Sequence, residues 1–230
     1  MHELVQHLLD VPQPPEELGI RREVDIKNFH IPIIAASIII AFLSNFGSFL
    51  SVIEPFTFLK MDFNSLERGY VNFFTMEYTY KISNEWWRLI TPMLIHFSFA
   101  HLVFNCLWIY VLGSKIELLD GHLIFVNLLL FCSIFSNLTQ HFFGGPSLFG
   151  GLSGVIYGLL GYCMVIEFEK NQDRYGLPPA LYLFMIVWLI LGFLGMLTLF
   201  GFGNVANFAH LGGLISGIIF AMISRIIIKQ

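Results

Sequence analysis

Ser153, His210, His101 and Asn105 are polar side chains set in stretches that are otherwise almost wholly apolar. Such groups are costly in apolar surroundings and usually face an interior or a water-filled cavity. A serine hydroxyl is a weak nucleophile until a base takes its proton, and a neutral imidazole has one acceptor nitrogen. Attack on an amide builds an oxyanion that needs donors already in place; losing one such donor costs about 3–4 kcal/mol of transition-state stabilisation. His101 and Asn105, spaced i,i+4, share one helix face and can supply donors. The first N–H groups of a helix opening at Ser153 can also donate, helped by the positive end of its dipole. Gly150 and Gly151 before the serine and Gly154 after it let a substrate backbone come close. Together these residues point to acyl transfer by a Ser–His pair. Glu117 falls at the opposite membrane face, so the pattern is a dyad rather than a triad. Tyr157, one turn after Ser153, is the ring that could pack against the imidazole.

Taken singly, each feature has a plainer reading. A serine in an apolar helix can bond its own i−4 carbonyl, and the Gly154–Gly158 and Gly213–Gly217 spacings serve close helix packing. Close packing of those two helices is also what would bring Ser153 to His210, so the two readings agree.

The elements that must carry these residues are transmembrane helices. Hydrophobic residues make up 56% of the 230 and charged residues 12%, with a mean hydropathy of +0.73, against about 25% charge in globular domains. A span needs about 20 apolar residues, and lipid leaves the backbone no partner but its own helix. Six runs qualify, near 31–52, 93–113, 122–142, 152–168, 179–200 and 206–227. The sequence therefore predicts an all-α membrane protein, a six-helix bundle with a long loop over 53–92. That loop holds Tyr70, Tyr78, Tyr80, Trp86 and Trp87, rings that favour the headgroup zone. Residues 143–151 carry turn chemistry. With the amino terminus inside, the cytoplasmic side receives Arg21, Arg22, Lys27, Lys115, Lys170, Arg174, Arg225 and Lys229. The outside receives only Lys60, Arg68, Lys81 and Arg88, so both termini are expected in the cytoplasm. The other polar candidates at membrane depth are His96, Glu117, His122, Asn127, His141 and Asn207. With this topology His101, Asn105, Ser153 and His210 fall in one leaflet, towards the outer side.

Residues 1–28 form a short polar, acidic cytosolic tail, with 29–230 as the membrane domain. Proline and charge fill the place of a signal peptide's apolar core. Cys106, Cys132 and Cys163 sit in apolar runs without metal or disulfide spacing. No metal or cofactor is expected, and the net charge of −4, with no basic stripe, gives no nucleic-acid partner.

These residues resemble the rhomboid family of intramembrane serine proteases, in its bacterial form. Trp87-Arg88, then His96, His101 and Asn105, are similar to the family's WR motif and HxxxxHxxxN second helix. Gly113, Glu117 and Gly121 are similar to its GxxxExxxG. Gly151-Leu152-Ser153-Gly154 with Tyr157 and Gly161 resembles the GxSG motif and glycine ridge, and Asn207, Ala209, His210, Gly213 and Gly217 resemble the sixth-helix pattern. The resemblance covers about 85–230. It implies Ser153 as nucleophile and His210 as base, with His101, Asn105 and the Ser153 amide as oxyanion hole. Tyr157, Gly151, His96 and Asn207 would support the site, and Arg88 and Glu117 would be structural. It also implies a bacterial inner (plasma) membrane, single-pass transmembrane proteins as substrates, and a fifth helix that gates the site. The stretch from Gln140 to Ser153 is one residue longer than the family norm, and Pro92 stands where relatives often have a polar residue.

Overall fold

The computed structural model describes residues 28–66, 70–170, 173–199 and 205–228. The tail expected over 1–28 lies outside these except for Asn28. Of the cations used for orientation, Arg21, Arg22, Lys27, Arg68 and Lys229 also lie outside the described residues. Among the described residues the longer apolar helices are α1 (His30–Leu43), α2 (Phe99–Asp120), α3 (His122–Gly144), α4 (Ser153–Lys170), α5 (Pro179–Phe193) and α6 (Asn207–Ile228). No strand occurs among the described residues, only a single bridge between Met61 and Phe73. Among the described residues three helices are long and apolar enough to cross a membrane, namely Phe99–Asp120, His122–Gly144 and Asn207–Ser224. The other three are apolar but shorter.

Local chemistry moves several boundaries away from the expected ones. The first apolar run, read as one span over 31–52, breaks after Leu43. The Ser44 hydroxyl donates to Ala41 O and accepts from Gly47 N, and Asn45, Phe46 and Gly47 all turn left-handed, at φ 47°, 52° and 82°. The second helix starts at Phe99 rather than near 93. Thr91–Leu94 forms a 3-10 turn, Ile95 is extended, and the Ser98 side chain caps α2 by accepting from His101 N. At its other end α2 runs on to Asp120, where Gly121 at φ 93° stops it. The fifth run breaks at Leu194 and Gly195, the latter at φ 73°, before a short helix over Met196–Leu199.

The core forms where α2, α3, α4 and α6 meet, with Ile109, Leu112, Phe125, Leu128, Leu152, Leu159 and Cys163 buried. α4 and α6 approach along glycines. A Cβ built on Gly213 would lie 2.8 Å from the Gly154 carbonyl carbon, and one on Gly217 would lie 2.6 Å from that of Gly158. Only glycine permits such backbone contact.

The long loop before α2 folds around Arg88, which is 1% exposed. Its guanidinium donates to Glu85 Oε2 (2.5 Å), Glu54 Oε1 (2.7 Å), Thr57 O (3.1 Å) and Glu54 O. Trp87 Nε1 donates to Pro55 O and Tyr80 OH to Phe58 O. α3 reaches the same loop through Asn137 Nδ2 to Leu89 O (2.9 Å) and Ser133 Oγ to Ile90 O (3.0 Å). Trp86 and Trp87 stay exposed on its outer face.

Candidate active site

Ser153 is the first residue of α4, and His210 lies in the first turn of α6. Ser153 Oγ and His210 Nε2 are 2.8 Å apart. With the imidazole proton on Nδ1, the serine hydroxyl donates to Nε2, which is the arrangement in which a base can remove that proton. Tyr157 stacks on the imidazole, its ring centroid 4.7 Å away and the planes 27° apart, while its hydroxyl donates to Met185 O of α5 at 2.9 Å. The Tyr157 ring is therefore held at both ends. His210 Nδ1 is buried with no partner among the described residues, so the imidazole is oriented by the aromatic face, the serine and its own backbone.

The chain enters Ser153 through Gly150 and Gly151. Gly151 has φ 120° and donates its N–H to Pro92 O at 3.1 Å. A Cβ here would lie 2.7 Å from His101 Cε1, 2.8 Å from His101 Nε2 and 3.4 Å from Asn105 Nδ2. His101 and Asn105 thus stand against the backbone two residues before the serine. Asn105 is 1% exposed, and neither its Nδ2 nor its Oδ1 has a partner among the described residues. A buried amide with nothing to bond is uncommon in a folded protein. His96 precedes α2, fully buried; its Nδ1 lies 3.2 Å from Leu94 O and its ring 5.0 Å from that of His101.

A family model described as Rhomboid domain matches residues 83–226, more than half of the sequence. The chain belongs to the rhomboid family. It is similar to the rhomboid protease GlpG of Serratia proteamaculans (strain 568), 36% identical over 135 residues that make up 59% of this chain and 47% of that one. It is equally similar, with the same coverage, to the proteins of that name from Yersinia pseudotuberculosis serotype I (strain IP32953) and Yersinia pestis (strain Pestoides F). The chain spans about half the length of the curated relatives it matches.

The remaining candidate residues of this rhomboid lie elsewhere. Asn207 opens α6 and donates Nδ2 to Gly192 O of α5 at 2.8 Å, close enough that Gly192 could carry no side chain. Glu117, near the far end of α2, takes Phe29 N at 2.8 Å and His30 Nδ1 at 2.5 Å, which fastens α1 to α2. His122 stacks on Phe29, His141 packs on Phe58, and Asn127 bonds its own helix at Leu123 O. None of these three meets Ser153.

Sequence reading missed the partners. Glu54, Thr57 and Glu85 hold Arg88, and His30 holds Glu117, yet nothing in their local sequence marks them. Ser136 and Gln140 on α3 bond both polar groups of Ala209, the residue before His210. Their signal is two polar residues i,i+4 in an apolar helix, near its C-terminal end.

Proposed function

We propose that this rhomboid is an intramembrane serine endopeptidase. The observation that carries the reading is the 2.8 Å contact between Ser153 Oγ and His210 Nε2 at the head of two apolar helices. In the proposed reaction His210 Nε2 takes the hydroxyl proton as Ser153 Oγ attacks the scissile carbonyl carbon. His101, Asn105 and the Ser153 N–H donate to the resulting oxyanion. The tetrahedral species collapses to an acyl-enzyme, and His210 returns the proton to the leaving amine. Water then attacks the ester, losing its proton to His210, which passes it to Ser153 Oγ as the acyl product leaves. Gly151 supports this reading because its missing side chain leaves His101 and Asn105 in touch with the approach to Ser153. Tyr157 takes the orienting part that a carboxylate plays in a triad.

We further infer a six-span bundle over 29–230, with 1–28 as a cytosolic tail, both termini in the cytoplasm and the site open to the outer side of a bacterial inner membrane. α1, of 14 residues, is about 21 Å long, against a hydrocarbon core of about 30 Å. Short spans are accommodated by local thinning, and a thin bilayer lets water reach a buried serine. The substrates inferred are single-pass transmembrane proteins whose segment can unwind into this site, with α5 as the gate.

The test is cleavage of a model transmembrane substrate by the detergent-purified protein. Ser153→Ala and His210→Ala should each stay folded and release no product. Equal cleavage by wild type and Ser153→Ala would remove the mechanism.

A further inference from the structure

A dyad without a carboxylate leaves open what sets the height of its base. Tyr157 covers one face of the imidazole, and Nδ1 has no partner among the described residues. The position of His210 therefore depends on its backbone. That backbone lies in the first turn of α6, where His210 N donates to Ala206 O at 3.2 Å and Ala209 N donates to the same oxygen at 3.0 Å. Asn207 opens the helix but its amide N–H is directed to Gly192 O.

α3 adds side-chain bonds to the same turn. Gln140 Oε1 accepts from Ala209 N at 3.0 Å, and Ser136 Oγ donates to Ala209 O at 3.0 Å. Ala209 O belongs to the peptide bond that carries the His210 nitrogen. Both side chains are buried, at 3% and 8% exposure. Ser136 also fills the space a side chain on Gly154 would need, so it lies between the residue after Ser153 and the residue before His210. α3 is itself anchored on its other side, through Ser133 and Asn137 to Ile90 O and Leu89 O beside the Arg88 cluster.

Building on the serine-protease reading above, we propose that Ser136 and Gln140 are positioning residues: they grip the Ala209 peptide groups from α3 and fix His210 at the level of Ser153. Loss of either bond lets the first turn of α6 shift. A displacement near 1 Å costs on the order of 100-fold in rate.

The test compares Ser136→Ala, Gln140→Leu and the double variant with wild type and Ser153→Ala. Thr139→Ala serves as a control, since Thr139 sits on the same helix but bonds Phe135 O and packs on Gly212. Three quantities are read in detergent well below each melting temperature: kcat and KM on a transmembrane substrate, and the rate of Ser153 labelling by a fluorophosphonate. That probe forms an Oγ–P bond, expels fluoride and needs the same proton transfer to His210. Each single variant should lower kcat about 10- to 100-fold, hold KM within about two-fold, and slow labelling in parallel. The double variant should fall less than the product of the two, because both bonds hold one residue. Thr139→Ala should keep its kcat. Cleavage by wild type that vanishes in Ser153→Ala establishes the reading beneath this proposal; if the two behave alike, that reading fails first. If it holds and both single variants keep their kcat, the clamp alone is wrong. Slower cleavage with unchanged labelling would point to substrate contact and overturn it. So would failure of both single variants to fold, which would make the bonds purely structural.

Discussion

Gly213→Ala should separate the two reacting groups without touching either. A Cβ at Gly213 would lie 2.8 Å from the Gly154 carbonyl carbon, whereas carbon atoms pack best at about 3.5 Å or more. The obstacle is backbone on a facing helix, so it cannot rotate aside. The Gly154 carbonyl oxygen lies nearer still, so the α4–α6 seam must open by more than about 1 Å to restore ordinary contact. Gly213 is three residues from His210, about 4.5 Å along the helix, and Gly154 adjoins Ser153, so the opening falls at the dyad. The Ser153–His210 separation, 2.8 Å in the native seam, would reach about 4 Å, past hydrogen-bond reach. The expected result is a fall in kcat of about 10- to 100-fold and a loss of about 1–3 kcal/mol from overpacking. Gly217→Ala is the comparison. Its Cβ would meet the Gly158 carbonyl carbon at 2.6 Å, a slightly worse clash, but about 10 Å along the helix from His210. It should lose as much stability and far less activity. Substrate cleavage and fluorophosphonate labelling, each beside a thermal melt in one detergent, give both numbers. A Gly213→Ala protein with native kcat, or a Gly217→Ala protein equally inactive, would refute the link between seam width and dyad geometry.

Asn105→Ala should slow cleavage by about 100-fold or more, the cost of one oxyanion donor, while the melting temperature holds or rises; the buried amide bonds nothing among the described residues, so removing it ends an uncompensated desolvation. Unchanged turnover would discard Asn105 as a donor. Arg88→Met should cost about 3–5 kcal/mol, because it leaves Glu54 without its cation and Glu85 with Lys60 alone, and a melt within a degree or two of wild type would contradict that. Glu85 adds a pH signature. Burial alone would raise its pKa, but hydrogen bonds and charge from Lys60 and Arg88 outweigh this and hold it below the ordinary value. Its contribution is therefore complete above the unfolded carboxylate range, about pH 4.3, and is lost as pH falls through the lower folded value. Glu85→Gln should lower stability at neutral pH and flatten the acid limb of a melting-temperature profile; an acid limb as steep as wild type would assign it to other groups.

Much of the helical order is legible in the residue string. Apolar runs separated by Gly121, by residues 143–151 and by Pro178 mark where helices α2 to α5 stop and start, because lipid-compatible stretches and left-handed or proline turns are local properties. The first and fifth apolar runs extend past their helices for a reason that is also local but weak. Ser44 and Asn45 are tolerated in an apolar helix, and only the left-handed path of Asn45 and Phe46 makes them a terminus. The second helix was read six residues early, since Met93, Leu94 and Ile95 continue the apolar pattern while Pro92 and the Ser98 cap govern the backbone.

The sequence by itself determined that this chain is built of apolar helices. Counting spans also yields the expectation that Ser153, His210, His101 and Asn105 share one leaflet, because hydropathy and charge bias are sums over neighbouring residues. Tertiary structure decided how close those residues come. The glycine seam sets the Ser153–His210 distance, and Met185 O and the His210 ring hold Tyr157. The bonds from Ser136 and Gln140 to Ala209 span 73 and 69 positions. No local window contains both ends of such a contact, and a polar residue in an apolar helix does not name its partner until the helices have packed.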